Sequence, residues 1–229
     1  MQPYFFPYIG YFQLMNIVDE FVVYDNIQYT KKGWINRNRI LLNGKEQFLT
    51  IPLKKGSDFL HVKDRKLSEN WDSDRVHIIN RIKASYSKAP FFKDVFPLIE
   101  DCLMYKNNNL FDFVFYSITS IKNYLNISTK LIISSNLTID HNLKSEDKVI
   151  SICKFKNAFI YINPIGGQQL YNSKKFNDNG INLSFLKANI FEYKQFNNKF
   201  IPFLSMIDVL MFNSKELAID IIKKDFLLL

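Results

Sequence analysis

The chain has 229 residues, 47% of them hydrophobic, which supplies a core and excludes an intrinsically disordered protein. Lysine and arginine exceed the acids by 30 to 22, a net charge of +8 that favours anionic partners, although a composition rich in Lys, Asn, Ile and Phe also follows from an AT-rich genome. No apolar run approaches the roughly 20 residues of a membrane span, no signal-peptide pattern opens the chain, and two cysteines, Cys102 and Cys153, form neither a disulfide framework nor a metal-ligand spacing, so a reduced, cytoplasmic protein is expected.

Residues 1–12 are aromatic and carry Pro3 and Pro7, which reads as a loop entering a helix over 12–19. Residues 21–24 read as a buried strand. Asn43-Gly44 lies between two alternating runs, and both residues tolerate the positive φ that a two-residue hairpin turn needs. A hairpin over 34–53 is therefore predicted, ended by Pro52. A helix is expected over 70–87, with Pro90 and Pro97 separating it from helices over 98–105 and 110–125. Strands over 131–134, 158–162 and 181–186 alternate with helices over 146–156, capped by Ser145, and 171–177, closed by Gly180. Helices over 200–212 and 215–225 end the chain. No linker or repeat divides it, so one α/β domain over 1–229 is expected. Its parts are a core of parallel βα units over about 128–190, the hairpin, a helical insertion over about 70–125, and C-terminal helices over 200–225.

The hairpin is the most informative element for chemistry. Arg37 and Arg39 share one strand face about 6.6 Å apart, a spacing at which two guanidinium forks match adjacent phosphates. Lys31 and Lys32 stand just upstream, Trp34 offers a ring for a base or sugar to stack on, and Asn36 and Asn38 take the opposite face. The competing reading is a solvated strand face. Asp25 is expected where ligands bind, beyond the carboxyl end of a strand. His77, early in its helix, is the better histidine for acid–base work, while His61 and His141 fall in polar stretches. Asp208, on an apolar helix, needs either a ligand or a buried lysine or arginine partner. Gly166-Gly167, after a strand, lets backbone N–H groups approach an anion or simply makes a tight turn. Cys153 lies on an apolar helix face and reads as inert, and no P-loop, GxGxxG or GxSxG occurs.

Several motifs together resemble the WbqC-like family over essentially the whole chain. They are Gln2-Pro3-Tyr4-Phe5-Phe6-Pro7-Tyr8-Ile9-Gly10-Tyr11-Phe12, Asp25-Asn26-Ile27-Gln28-Tyr29, and residues 31–40 from Lys31-Lys32-Gly33-Trp34 onward. Tyr86-Ser87-Lys88-Ala89-Pro90, Tyr161-Ile162-Asn163-Pro164-Ile165-Gly166-Gly167 and residues 204–213 follow in order. His77 also falls where the family pattern has a histidine. Members usually carry a short K-x-A-I strand ahead of the Gln-Pro; here the chain opens at Met1-Gln2-Pro3, so the start lies upstream or the strand is missing.

The resemblance implies a role in bacterial surface-polysaccharide synthesis of the O-antigen type, on a nucleotide-linked amino or deoxysugar. N-acyl or aminoacyl transfer to a sugar amine is the leading reading, with a thioester acyl donor or ATP as co-substrate. His77 or Asp25 would take the proton, and Gln2, Tyr29, Lys32, Trp34, Asn36, Arg37, Arg39, Gly166, Gly167 and Asp208 would bind substrate. An acyl carrier or a second copy of the chain are further partners; no specific nucleic acid and no metal are expected. A second reading starts from Tyr8-Ile9-Gly10-Tyr11, which resembles the HxGH opening of nucleotidylyltransferases with both histidines replaced by tyrosine. It implies a nucleotidyl-transfer or adenylate-forming enzyme. A third is a non-catalytic binding or assembly protein of the same pathway.

Overall fold

A computed structural model describes residues 1–57 and 59–229. It is a mixed α/β protein with small parallel and antiparallel sheets and several helices. Helix α1 (Ile9–Asn16) starts three residues earlier than its predicted place. It is apolar on all sides and buried from Gly10 to Met15, as a helix without a polar face must be. Its one buried polar side chain, Gln13, donates through Nε2 to Ile221 O (3.2 Å) and Asp225 O (2.8 Å). Those carbonyls belong to the end of helix α8 (Lys215–Lys224), so Gln13 satisfies carbonyls that a helix terminus leaves open.

Strand β1 (Glu20–Val23) pairs in parallel with β4 (Lys130–Ile133), Phe21 opposite Leu131. Met1 adds one parallel rung on the other side of β1: its amino group donates to Val22 O (2.6 Å), and its carbonyl accepts from Tyr24 N (2.8 Å). Burial pushes that amino group down to about 5. Beyond this rung an apolar cleft of about 450 Å³ separates β1 from β5 (Ile160–Pro164), lined by Leu14, Ile17, Phe21, Val22, Val149 and Ile162. Strand β5 pairs in parallel with β6 (Asn182–Ala188), and β7 (Phe226–Leu228) closes that sheet antiparallel to β6.

The parallel βα pairing expected over 128–190 is present, but as two sheets. The nucleotidylyltransferase-like arrangement gains no support: Tyr8 lies over Gly10, within 2.5 Å of where a Cβ there would stand, and Tyr11 is buried with its hydroxyl donating to Gln2 O (3.1 Å). Strand β7 escaped the sequence reading because three residues of tail carry no turn signal; its place comes from pairing with β6.

The hairpin forms as predicted, β2 (Arg37–Leu42) against β3 (Lys45–Thr50), with Arg39 opposite Phe48. Asn43 (φ 52) and Gly44 (φ 70) both take positive φ. Helix α2 (Trp71–Tyr86) packs on β2 and on α3 (Phe92–Met104), and α3 packs on α4 (Leu110–Tyr124). Pro97 does not end α3 but sits inside it. Pro97 and Lys93, whose carbonyl loses its helical partner, are both exposed, so water replaces that bond. Ser145 does not cap α5 (Ser145–Phe155); it is the first helical residue at φ 48, and Lys144 precedes it without a side-chain cap. The helix predicted over 171–177 starts two residues later, as α6 (Ser173–Asn177), capped by the Asn172 side chain and preceded by a 3-10 turn, Ile165–Leu170. Helix α7 (Met206–Phe212) starts later than predicted, at a Ser205 cap, because residues 200–205 form a loop.

Asn38, buried on β2, donates to Phe5 O (3.0 Å) and Phe6 O (2.8 Å), and Ser205 Oγ donates to Phe6 O (2.7 Å), so the N-terminal aromatic loop is clamped between hairpin and α7. Gly44→Ala forces a Cβ into positive φ, within 2.6 Å of Asn198 Oδ1. The expected cost is about 1–2 kcal/mol, read as a lower urea midpoint at unchanged slope.

Candidate functional site

The carboxyl ends of β1 and β4 carry a connected set of buried polar side chains. Asp25 follows β1, and its Oδ1 accepts from Ser134 Oγ (2.9 Å) and Ser135 N (2.9 Å) just past β4. Burial pushes the Asp25 carboxyl up. The hydrogen bonds from Ser135 and Ser134 together outweigh that and hold it below the ordinary carboxylate value, so it is ionised near neutral pH. Asn26 Oδ1 accepts from Ser134 Oγ (2.6 Å) and from the Lys148 ammonium on α5 (3.3 Å).

With its oxygen so engaged, Asn26 presents Nδ2 to His141 Nδ1 (2.9 Å), while His141 Nε2 stands 3.0 Å from Leu137 O. An amide donor on Nδ1 and a carbonyl on Nε2 assign one tautomer, with the proton on Nε2. Lys148 is buried and lies over the Tyr24 ring, 5.5 Å from its centroid. Burial pulls its ammonium below the usual lysine value, and Asp25 opposes that.

The end of β5 borders the same region. Burial raises the Tyr24 and Tyr161 phenols, and the neighbouring Tyr171 phenol adds to both. Tyr161 donates to Asn163 Oδ1 (3.3 Å), and Gly167 lets the Asn163 amide approach: a Cβ there would stand 2.1 Å from Asn163 Nδ2. Gly166 meets nothing within 4 Å. The glycine pair therefore makes a close turn against Asn163.

The hairpin residues fall elsewhere. Arg37 and Arg39 do share a face, where they interleave with aromatic rings. The Arg37 guanidinium lies 4.3 Å from the Phe48 centroid, Arg39 lies 5.4 Å from Trp34, and the two rings are 6.1 Å apart. The paired phosphate clamp is not assembled, because the chain's own acceptors hold both forks. Arg37 donates from Nε to Gly33 O (3.1 Å) and from Nη2 to Lys32 O. Arg39 bonds Glu46 Oε2 (2.6 Å) and Phe203 O (3.1 Å). Trp34 and Lys32 are exposed beside them. Tyr29 and Asn36 are buried and joined, hydroxyl to Oδ1 at 2.8 Å, and Asn36 also donates to Ile51 O (2.9 Å). Gln2 is half-buried beside Tyr11.

His77 is exposed on α2, one turn before Arg81, whose guanidinium donates to Gln47 Oε1 (3.1 Å) on β3. Among the described residues no hydrogen bond or ion pair joins His77 to the Asp25 cluster. Asp208 pairs with no lysine or arginine among the described residues. It is fully buried, and its carboxylate accepts from Tyr86 Oη (2.8 Å), Tyr193 Oη (2.6 Å) and Gln195 Nε2 (2.8 Å). Burial pushes its carboxyl up further than those three donors pull it down.

Sequence reasoning missed Asn26, Ser134, His141 and Lys148. One signal was present: Lys148 stands four residues before Ile152 and next to Val149, within the apolar stripe of its helix, where a lysine must be buried or reach a partner. Among the described residues no group of three or more metal-ligating side chains occurs, and no helix is long and apolar enough to cross a membrane.

A mixed α/β protein with a polar cluster at the carboxyl ends of two parallel strands is the class these features define. The chain belongs to the WbqC-like protein family, whose sequence model matches residues 2–219. It is similar to the uncharacterized protein Rv1507c of Mycobacterium tuberculosis, 28% identical over 213 residues that make up 92% of this chain and 90% of that one. No solved structure matches it.

Two outcomes follow from the buried carboxylates. Asp208→Ala leaves two phenols and an amide without their acceptor and is expected to lose about 3 kcal/mol or more of stability in urea unfolding, Asp208→Asn losing less. Asp25, held low when folded, stabilises above its unfolded value near pH 4, and that contribution fades as pH falls through the lower folded value. Asp25→Asn therefore flattens the stability profile below about pH 4, measured by urea midpoints at each pH.

Proposed function

We propose that this chain modifies a nucleotide-activated amino or deoxysugar for bacterial surface polysaccharide, by acyl transfer from a thioester donor to the sugar amine. The observation that carries the reading is the buried Lys148, beside ionised Asp25 and held by Asn26, at the strand ends where α/β proteins bind ligands. Burial draws the Lys148 ammonium below the usual lysine value, the direction that makes its free amine more available as a base. In the reaction, the amine nitrogen of the sugar attacks the thioester carbonyl, and its proton passes to the Lys148 amine. The tetrahedral intermediate then collapses, the C–S bond breaks, and the thiolate leaves and takes up that proton. The Asn163 amide at the end of β5 is the side-chain donor offered to the developing oxyanion. Asp25 orients Ser134 and balances Lys148.

The second base considered from sequence, His77, lies on the exposed side of α2. The test incubates the protein with acyl thioesters and a panel of nucleotide amino sugars, reading product by mass spectrometry. Transfer is expected, reduced at least 100-fold in Lys148→Met and unchanged in His77→Ala, with both variants melting within a few degrees of the parent. Silence across the panel overturns the reading. Loss in His77→Ala with full activity in Lys148→Met moves the base to α2.

A further inference from the structure

A second cavity lies beside the start of α2. It has a volume of about 850 Å³. Three separate segments build its wall: the chain leaving β3, the first turns of α2 with the residues before them, and the loop between α3 and α4. Each brings a cation, namely Lys54, then Lys66 and Arg75, then Lys106.

Among the described residues two carboxylates line the cavity with these four cations, and each is already matched. Glu69 pairs with Lys54 (2.7 Å) and Asp72 with Arg75 (2.5 Å). The Lys66 and Lys106 ammonium groups make no ion pair or hydrogen bond among the described residues, which leaves the cavity with two uncompensated positive charges.

A second, independent feature points the same way. Trp71 lies in the wall, 7% exposed and edge-on to Phe113 at 5.0 Å, and among the described residues its indole N–H has no acceptor. The Arg75 Nε–H is buried and lacks one too. Two orphaned donors beside one cavity are a cost that an acceptor-rich ligand would relieve. The start of α2 adds to this, since Asn70 gives it no side-chain cap and its dipole favours negative charge.

We propose that this cavity binds a small dianionic or polyanionic group of the diphosphate class, held chiefly by Lys66 and Lys106 with Arg75. The ligand class rests on the nucleotide-sugar reading; the site rests on the cavity alone. It also answers what Arg37 and Arg39 leave open, because their forks are held by Gly33, Lys32, Glu46 and Phe203.

Trp34→Phe leaves Trp71 as the one indole of the chain, so its fluorescence reports on this wall. Titration of that variant at low salt uses inorganic pyrophosphate and, separately, uridine diphosphate, with calorimetry on the parent chain as a check. A saturable fluorescence change is expected, with affinity falling at least tenfold in the Lys66→Ala, Lys106→Ala double variant and falling with added salt. Both lysines are exposed, so folding is retained.

Absence of both a fluorescence change and a heat overturns the site. So does affinity that survives the double variant, above all if Arg37→Ala with Arg39→Ala then removes it. Pyrophosphate binding that needs the lysines, with no gain from the nucleoside and no turnover of any nucleotide sugar, keeps the site and overturns the nucleotide-sugar reading instead. Tighter binding of uridine diphosphate than of pyrophosphate extends the site to the nucleoside.

Discussion

The Asp208 carboxylate holds together parts of the chain that are far apart in sequence. Its oxygens accept from Tyr86 at the end of α2 and from Tyr193 and Gln195 in the loop before α7. The Tyr86 oxygen in turn accepts from Leu41 N (2.9 Å) on β2, and Gln195 closes its own loop by bonding both the N–H and the C=O of Ile201. Hairpin, helical insertion and C-terminal segment thus meet at one buried group. Among the described residues no cation neutralises it. Aligned neutral donors do that work, and such an arrangement tolerates little displacement, because Tyr86 and Gln195 are buried and have no other acceptor for these protons among those residues.

The cluster at the ends of β1 and β4 is built on the opposite plan. There an ionised carboxylate and a lysine share the site, with Asn26 between the lysine and Ser134. Asn26 is the switchboard of that group: its oxygen faces Lys148 and Ser134, and its nitrogen faces His141, so one amide orientation sets three partners. The strand ends bring these residues together because β1 and β4 run in parallel and stop at the same level, Val23 opposite Ile133.

Much of the fold was legible in the residues, and the reasons differ by element. Asn43-Gly44 announced the hairpin because few residue pairs accept two positive φ angles. The parallel pairings followed from alternating strand and helix patterns. The signals that failed were local ones overruled by surroundings: Pro97 is tolerated where water reaches the freed carbonyl, Ser145 sits inside its helix, and β7 depends on pairing with β6. The candidate site was less legible. Asp25 was readable from its place after a strand. Apart from the adjacent Asn26, its companions come from 109 to 123 residues away and carry no spacing of their own. The arginine pair was correctly placed on one face, but strand alternation says nothing about Gly33, Lys32, Glu46 and Phe203 as competitors for the guanidinium groups.

The gap between β1 and β5 has a bearing on how this protein behaves in concentrated solution. Unpaired strand borders are templates on which other chains add, the route by which β proteins polymerise. Here two such borders flank one apolar cleft walled by Leu14, Ile17 and Val149, and Met1 already covers part of one. The start of β5, with Phe159 and Ile160 exposed, is where an added strand would first make contact, and extending it along either border requires the cleft to widen.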